Sequence, residues 1–326
     1  MNRKIIRWGI IGCGDVTEVK SGPAYQLTDG FELKAVMRRD AEKLKDYAQR
    51  HHIEKIYTDA NDLINDNEID AIYIATPPDS HKYYALKVAN AKKPCCIEKP
   101  LAPNYADSLI IHNAFKEKKT PLFVAYYRRS LPRFNQIKQW LNDNLIGDVR
   151  HVNWNFSKPP SELDLTREYN WRTDSKIAKG GYFDDLASHG IDLFNYLLGD
   201  VKDAKGFSIN QQKLYSAHDT TAACWLHENG IIGSGSWNFG ANEHEDNVNI
   251  LGSKGSIEFS IFHDKPVILK NGSKTNELLI ENPKHIQKHH VENLKNALFD
   301  SNFEHPSTGI SALHTSLIID KILGRI

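Results

Sequence analysis

The sequence predicts an α/β chain in two parts: a doubly wound parallel sheet over residues 1–123, then an α+β domain over 124–326 built on a large, mainly antiparallel open sheet. Three observations carry this prediction. Strand and helix signals alternate through the first ~120 residues, which argues for βαβ units. A Gly-x-Gly turn, Gly12-Cys13-Gly14, directly follows the first apolar run. Beyond Tyr126 the strand-like stretches lengthen and alternate, divided by turn signals such as Glu228-Asn229-Gly230 and Gly252-Ser253-Lys254-Gly255.

The strand candidates of the first part are Ile5–Ile11, Phe31–Met37, Ala71–Ala75, Cys95–Ile97 and Leu122–Tyr126. Each is a short, nearly continuous apolar run, as expected of strands buried on both faces. Helical patterns lie between them. Ala41–His52 follows Asp40, a good N-cap. Asp79–Lys92 follows Pro77-Pro78, and Asn104–Lys118 follows Pro103. The second part reads as strands at Val149–Phe156, Ala204–Ile209, Thr220–Leu226, Ile231–Phe239, Asn247–Leu251, Ser256–Ile261 and Pro266–Lys270. Helices are expected near 133–144, 182–198, 285–299 and 307–323.

Composition narrows the function classes. The 41 basic residues balance the 41 acidic ones, so no electrostatic footprint for nucleic acid or an anionic membrane is present. No apolar run approaches the ~18 residues of a membrane span. Met1-Asn2-Arg3-Lys4 leads straight into the first strand and lacks a secretory cleavage pattern. The four cysteines show neither metal-ligand nor disulfide spacing, which fits reduced thiols in a cytoplasm.

Gly12, Gly14, Asp15 and Val16 read as a phosphate loop. Gly12 permits the tight turn, and Gly14 lets the backbone approach a pyrophosphate seated at the start of the next helix. Thr17 takes the third small-residue position, so looser helix–strand packing is expected there. The end of strand two normally reads the ribose. It carries Arg38-Arg39-Asp40, in which the guanidinium of Arg38 suits a 2′-phosphate and Asp40 suits the helix cap. NADP is therefore preferred, with NAD left open. Glu98-Lys99-Pro100 closes strand five and puts a carboxylate and an ammonium at the sheet edge where ligands bind in open α/β sheets.

A second constellation follows Gly180-Gly181. Asp185, His189, Asp192 and Tyr196 fall at steps of four, three and four, a polar stripe beside the apolar face Phe183, Leu186, Ala187, Ile191, Phe194, Leu197 and Leu198. On an α-helix Asp185 could orient the His189 imidazole, whose pKa suits proton exchange near neutrality. The glycine pair would let a flat ligand approach.

These motifs together resemble the Gfo/Idh/MocA oxidoreductases, the glucose–fructose oxidoreductase and inositol dehydrogenase group. The resemblance rests on Gly12-x-Gly14, Ala75-Thr76-Pro77-Pro78-Asp79-Ser80-His81, Glu98-Lys99-Pro100 and Gly180-Gly181-x-x-x-Asp185-x-x-x-His189-x-x-Asp192, in that order. It implies an N-terminal Rossmann domain and a C-terminal domain whose open sheet carries substrate pocket and subunit contacts. By position, Lys99 matches the family's catalytic lysine, and Asp185 and His189 its acid and histidine. Thr76, Pro77, His81 and Glu98 match cofactor-lining segments. Trp171-Arg172 resembles a pair placed near the nicotinamide in some members. Ala187 stands where the pattern often has Gly, which would narrow the pocket.

The expected reaction is reversible hydride transfer between nicotinamide and a hydroxyl- or carbonyl-bearing carbon. In it His189 exchanges the proton and Lys99 stabilises the oxygen. Tyr127 and Arg128, with Arg172, suit a polyhydroxylated substrate such as a sugar or cyclitol, acidic sugars included. Two alternatives stay open: redox-neutral turnover with tightly held NAD, giving glycoside cleavage or epimerisation, and a non-catalytic dinucleotide sensor. His285 and His289, four apart on the expected helix, lack a third ligand, so no metal is expected. Tyr215, Trp225, Trp237 and Phe239 are candidates for an apolar sheet face, and the resemblance implies a homodimer or homotetramer.

Overall fold

A computed structural model describes residues 5–326. The first four residues, read above as leading into strand one, lie outside the described residues. By contacts the chain divides into two units. The first runs to Ser130 and also takes Pro283–Leu313, and the second comprises Leu131–Asn282 and His314–Ile326. A single cut at 123/124 assigns Pro283–Leu313 to the second part, whereas its contacts lie with the first.

The first unit holds six strands, β1 (Ile6–Ile11), β2 (Phe31–Met37), β3 (Lys55–Tyr57), β4 (Ala71–Ile74), β5 (Cys95–Ile97) and β6 (Leu122–Val124). They pair in the order β3-β2-β1-β4-β5-β6, all parallel. The order reverses between β1 and β4, which opens the ligand crevice beyond their carboxyl ends. Both faces are buried, as the apolar runs require. Trp8, Ile10, Val36, Tyr73 and Cys96 pack on one side with Tyr25, Tyr47, Val291 and Leu294. Ile11, Ile72, Ile74 and Ile97 pack on the other with Leu63, Val88, Ile111 and Phe115. Val291 and Leu294 belong to helix Lys288–Phe299, so the returning segment completes this core. The sequence reading missed β3, because a three-residue edge strand carries no apolar run.

In the second unit follow β7 (Val149–Ser157), β8 (Val201–Ile209), β9 (Thr220–His227), β10 (Ile232–Asn238), β11 (Glu245–Gly252), β12 (Gly255–Phe259), β13 (Val267–Asn271) and β14 (Lys274–Leu278). Their order is β14-β13-β12-β11-β7-β10-β9-β8. All neighbours are antiparallel except the central β7–β10 pair, which is parallel. The polar strand β14 was not expected; charged edge strands resist further pairing.

The alternation held, and three of the candidates for an apolar sheet face lie on the buried side. Trp225, Trp237 and Phe239 are buried on the covered face, where Trp154 meets Trp237 edge-on at 5.3 Å and Phe194 stacks on Trp225 at 5.7 Å. The alternate residues Phe207, Ile209, Leu226, Ile232 and Leu251 are the exposed ones, with Phe207 87% exposed. Among the described residues no helix is long and apolar enough to cross a membrane.

Two buried histidines in the first unit set an acid limit. His305 takes a hydrogen bond from the Ser307 amide on Nδ1 at 2.9 Å, so its proton sits on Nε2, 3.3 Å from the His290 carbonyl. Burial pushes His305 down to about 4 and His290 well below its usual range. Both are neutral when folded, whereas the unfolded chain protonates them near 6.5. The unfolded state therefore binds more protons between about pH 6.5 and 4, and stability falls as pH drops through that window. For His305 alone the loss is on the order of 3 kcal/mol. Urea titrations across that range should show a steeper pH slope for the wild type than for His305→Asn. Identical slopes would contradict this.

Candidate active site

The carboxyl ends of β1, β2, β4 and β5 gather the motifs of the first unit. Gly12 has φ +92, and a Cβ there would meet Thr76 Cγ2 at 2.6 Å, so the turn needs glycine. A Cβ on Gly14 would meet nothing within 4 Å, which leaves that stretch of backbone open to a ligand. Asp15 and Val16 begin the short helix Asp15–Val19 beyond it. The expected loose packing at Thr17 is corrected. Thr17 is fully buried, its Oγ1 donates to the Gly14 carbonyl at 2.8 Å, and its own carbonyl accepts from Tyr47 at 3.0 Å. Gly22 supplies the close approach instead, since a Cβ on it would lie 2.3 Å from that carbonyl.

Gly12, Gly14, Arg38, Arg39, Thr76 and Pro77 line one cavity of about 390 Å³. Tyr84, which the motifs did not indicate, lines it too. Arg38 Nη1 donates to the Cys13 carbonyl at 3.0 Å, which holds the guanidinium over the loop. Asp40 caps helix Ala41–Arg50 by accepting from the Lys43 amide at 3.1 Å. This donor-rich, glycine-walled cradle fits a dinucleotide phosphate.

Glu98, 7% exposed, accepts from Tyr73 Oη at 2.5 Å and Gln287 Nε2 at 2.6 Å on one oxygen, and from the Lys99 amide at 3.2 Å on the other. Its carboxylate anchors the loop from inside rather than lining the cavity. His81 is likewise behind the wall: fully buried, it touches the Thr76 carbonyl through Nε2 at 2.8 Å and the Pro100 carbonyl through Nδ1 at 3.0 Å. It joins the loops after β4 and β5. Lys99 is half-buried, and its peptide to Pro100 is cis. Tyr127 and Arg128 lie in the 3-10 turn Tyr127–Ser130, where the buried guanidinium sits 5.0 Å over the Tyr127 ring. Sequence reading missed Tyr73 and Gln287. Tyr73 looked like one more strand residue, and Gln287 reaches Glu98 only through the returning segment.

In the second unit the expected α-helix over 182–198 is two elements. Phe183–Ala187 is a π turn, and the α-helix runs Ser188–Leu198. A π turn closes hydrogen bonds five residues apart, so Asp185 stands on the π turn and His189 on the α-helix that continues from it. Both are buried, at 5% and 4% exposed. Asp185 Oδ2 accepts from Arg172 Nε at 2.5 Å, and Arg172 in turn lies 4.4 Å over the Trp171 ring. The His189 ring meets Phe262 edge-on at 5.8 Å. The lower stripe leaves the site altogether: Asp192 accepts from Thr315 at 3.0 Å, and Tyr196 donates to Asn135 at 2.9 Å.

The glycine pair serves packing, not a flat ligand. Gly181 has φ +65, and a Cβ on it would lie 2.2 Å from the His218 carbonyl; on Gly180 it would press on Leu323 at 2.8 Å. Asp184 accepts from the Gly180 amide at 2.8 Å and pairs with Arg325 at 2.5 Å. Ala187 is fully buried. His285 precedes helix Lys288–Phe299 and meets the Val19 carbonyl, while His289 pairs with Glu292, so the two share no face.

Residues 6–126 match the oxidoreductase family with NAD-binding Rossmann fold, and residues 134–258 match the GFO/IDH/MocA C-terminal domain. The chain is 41% identical over 288 residues to Oxidoreductase P35 of Formosa agariphila, covering 88% of this chain and 89% of that protein. It is 24% identical over 271 residues to myo-inositol 2-dehydrogenase of Thermotoga maritima, covering 81% and 78%. Among solved structures, levoglucosan dehydrogenase in complex with NADH superposes with a TM-score of 0.87 at 21% identity, over 97% of this chain and 95% of that one.

Proposed function

The chain belongs to the Gfo/Idh/MocA oxidoreductase family as an NAD(P)-dependent dehydrogenase, and on that premise we propose that it oxidises a hydroxyl carbon of a sugar, cyclitol or related polyol, and reduces the carbonyl in reverse. Two observations support the reading: in the first unit Glu98 accepts from the Lys99 amide and so holds its segment, and in the second Asp185, paired with Arg172, and His189 are buried on consecutive elements. The relatives named for myo-inositol and levoglucosan support the substrate class.

When bound, the nicotinamide takes up or gives the hydride. The chain's own residues manage the oxygen and its proton. His189 takes the hydroxyl proton during oxidation and returns it during reduction. Lys99 donates a hydrogen bond to the same oxygen and stabilises its developing negative charge. Asp185 sets the imidazole tautomer or accepts from a substrate hydroxyl, from a position that Arg172 fixes. Trp171 and Arg172 border the nicotinamide, and Tyr127 and Arg128 face the substrate. Replacing Lys99 or His189 tests the reading.

For the cofactor, Arg38 and Arg39 favour NADP through the 2′-phosphate, although NADH sits in solved structures of relatives. Arg38→Ser should weaken NADPH binding by about 10- to 100-fold, the range of one charge-assisted hydrogen bond, and weaken NADH far less. Fluorescence titration measures both. An equal loss for the two cofactors would remove the 2′-phosphate role. The exposed apolar residues of the open sheet support a homodimer or homotetramer, and reduced thiols support a cytoplasmic setting.

A further inference from the structure

Lys158 follows β7, and its amide donates to the Asn238 carbonyl at the end of β10, 3.0 Å away. It therefore stands just beyond the carboxyl ends of both strands of the one parallel pair in the second sheet. Its ammonium lies 3.9 Å from the Tyr182 ring centroid and 6.0 Å from that of Phe239. Among the described residues it makes no hydrogen bond or ion pair. Burial lowers its pKa, with Asp164, Asp185 and Arg172 near enough to act on its charge.

A chain of contacts links Lys158 to the candidate site. Below its ammonium, the Tyr182 hydroxyl donates to Asp164 at 2.8 Å and lies 3.2 Å from Asn170 Nδ2. Asn170 caps the turn that carries Arg172, and Arg172 pairs with Asp185. The nearby carboxylates are already engaged. Asp164 also accepts from the Ser161 amide at 2.8 Å and hydroxyl at 2.7 Å, and Asp185 accepts from Arg172. Three ammonium donors are thus held in place by aromatic rings with no protein acceptor. A half-buried cation in that state lacks a partner that a ligand can supply.

We propose that Lys158 is a specificity residue that receives a carboxylate of the substrate, so that the preferred substrates are acidic polyols of the uronate or aldonate class. The inference rests on the dehydrogenase reading above. Its test compares matched pairs, glucuronate with glucose and galacturonate with galactose, by nicotinamide reduction and by calorimetric titration into the cofactor-loaded enzyme. The wild type should favour the acid member of at least one pair. Lys158→Met keeps the stem on Tyr182 and should lower the acid-to-neutral ratio of kcat/KM by about 10- to 100-fold, as loss of a charge-assisted contact implies. Lys158→Arg should restore most of it.

Turnover that favours the neutral sugars, or a ratio unchanged in Lys158→Met, overturns the inference and leaves the dehydrogenase reading standing. Binding of the acids that depends on Lys158 without any nicotinamide turnover supports the inference and counts against the dehydrogenase reading. Absence of both turnover and Lys158-dependent acid binding overturns the inference.

Discussion

Lys99→Ala and His189→Ala should each lower kcat by about 10² to 10⁴, the usual contribution of one positioned proton-transfer group. Nicotinamide binding should change little, because the phosphate cradle is built from Gly12, Gly14, Arg38 and Thr76. The two variants should differ in pH profile. Without His189, the limb of kcat against pH that reports the imidazole should disappear, while Lys99→Ala should keep it and lose rate throughout. Removing both should cost much less than the product of the single losses, as for groups that act as a unit. Near-normal turnover in either single variant would sink the assignment. Loss of cofactor binding in parallel with rate would instead give that residue a structural role.

The second large effect falls on Gly190. It lies in helix Ser188–Leu198 next to His189, and a Cβ there would sit 2.1 Å from Trp154 Cζ3 and 2.7 Å from two further ring atoms. Trp154 is fully buried, its indole N–H donates to Asp246 at 2.9 Å, and its ring is boxed in by Phe156, Phe194 and Trp237. The ring cannot give way, so Gly190→Ala must lift the helix. Overpacking of this kind costs about 3 kcal/mol, which lowers Tm by about 6–12 °C for a unit of this size. Activity should fall with it, since the helix positions His189. An unchanged melting temperature by calorimetry would show that the helix moves freely on the sheet, contrary to the packing described.

The two predictions also mark what the sequence makes legible. The parallel sheet was readable because strands buried on both faces leave apolar runs, and because Gly12 and Gly14 punctuate the first turn. The second sheet was readable from its alternation. Period two, however, does not say which face is covered, and only the structure shows that Trp225, Trp237 and Phe239 lie on the buried one. The π turn at Phe183–Ala187 has no local signature: the apolar spacing reads as α-helix throughout. Gly190 looked like an ordinary helix residue, and only the Trp154 ring explains it. The Glu98 anchor escaped for a similar reason. Tyr73 and Gln287 come from sequence positions 25 and 189 residues away and meet Glu98 only in the folded unit. Of the motif residues, Gly12, Gly14, Arg38, Arg39, Thr76 and Pro77 line the cavity, while His81 and Glu98 make hydrogen bonds that hold the loops after β4 and β5.

The central claim is hydride transfer between nicotinamide and a polyol carbon. Its most direct measurement is the absorbance of reduced nicotinamide when the purified protein is mixed with NADP or NAD and a panel of sugars, sugar acids and cyclitols. Formation of reduced cofactor is expected with at least one polyhydroxylated compound, at a rate about 10²- to 10⁴-fold lower in Lys99→Ala. Conversion of a sugar with no net change in a tightly held cofactor would contradict it in favour of redox-neutral chemistry. Cofactor binding without conversion of any compound would contradict it in favour of a sensor.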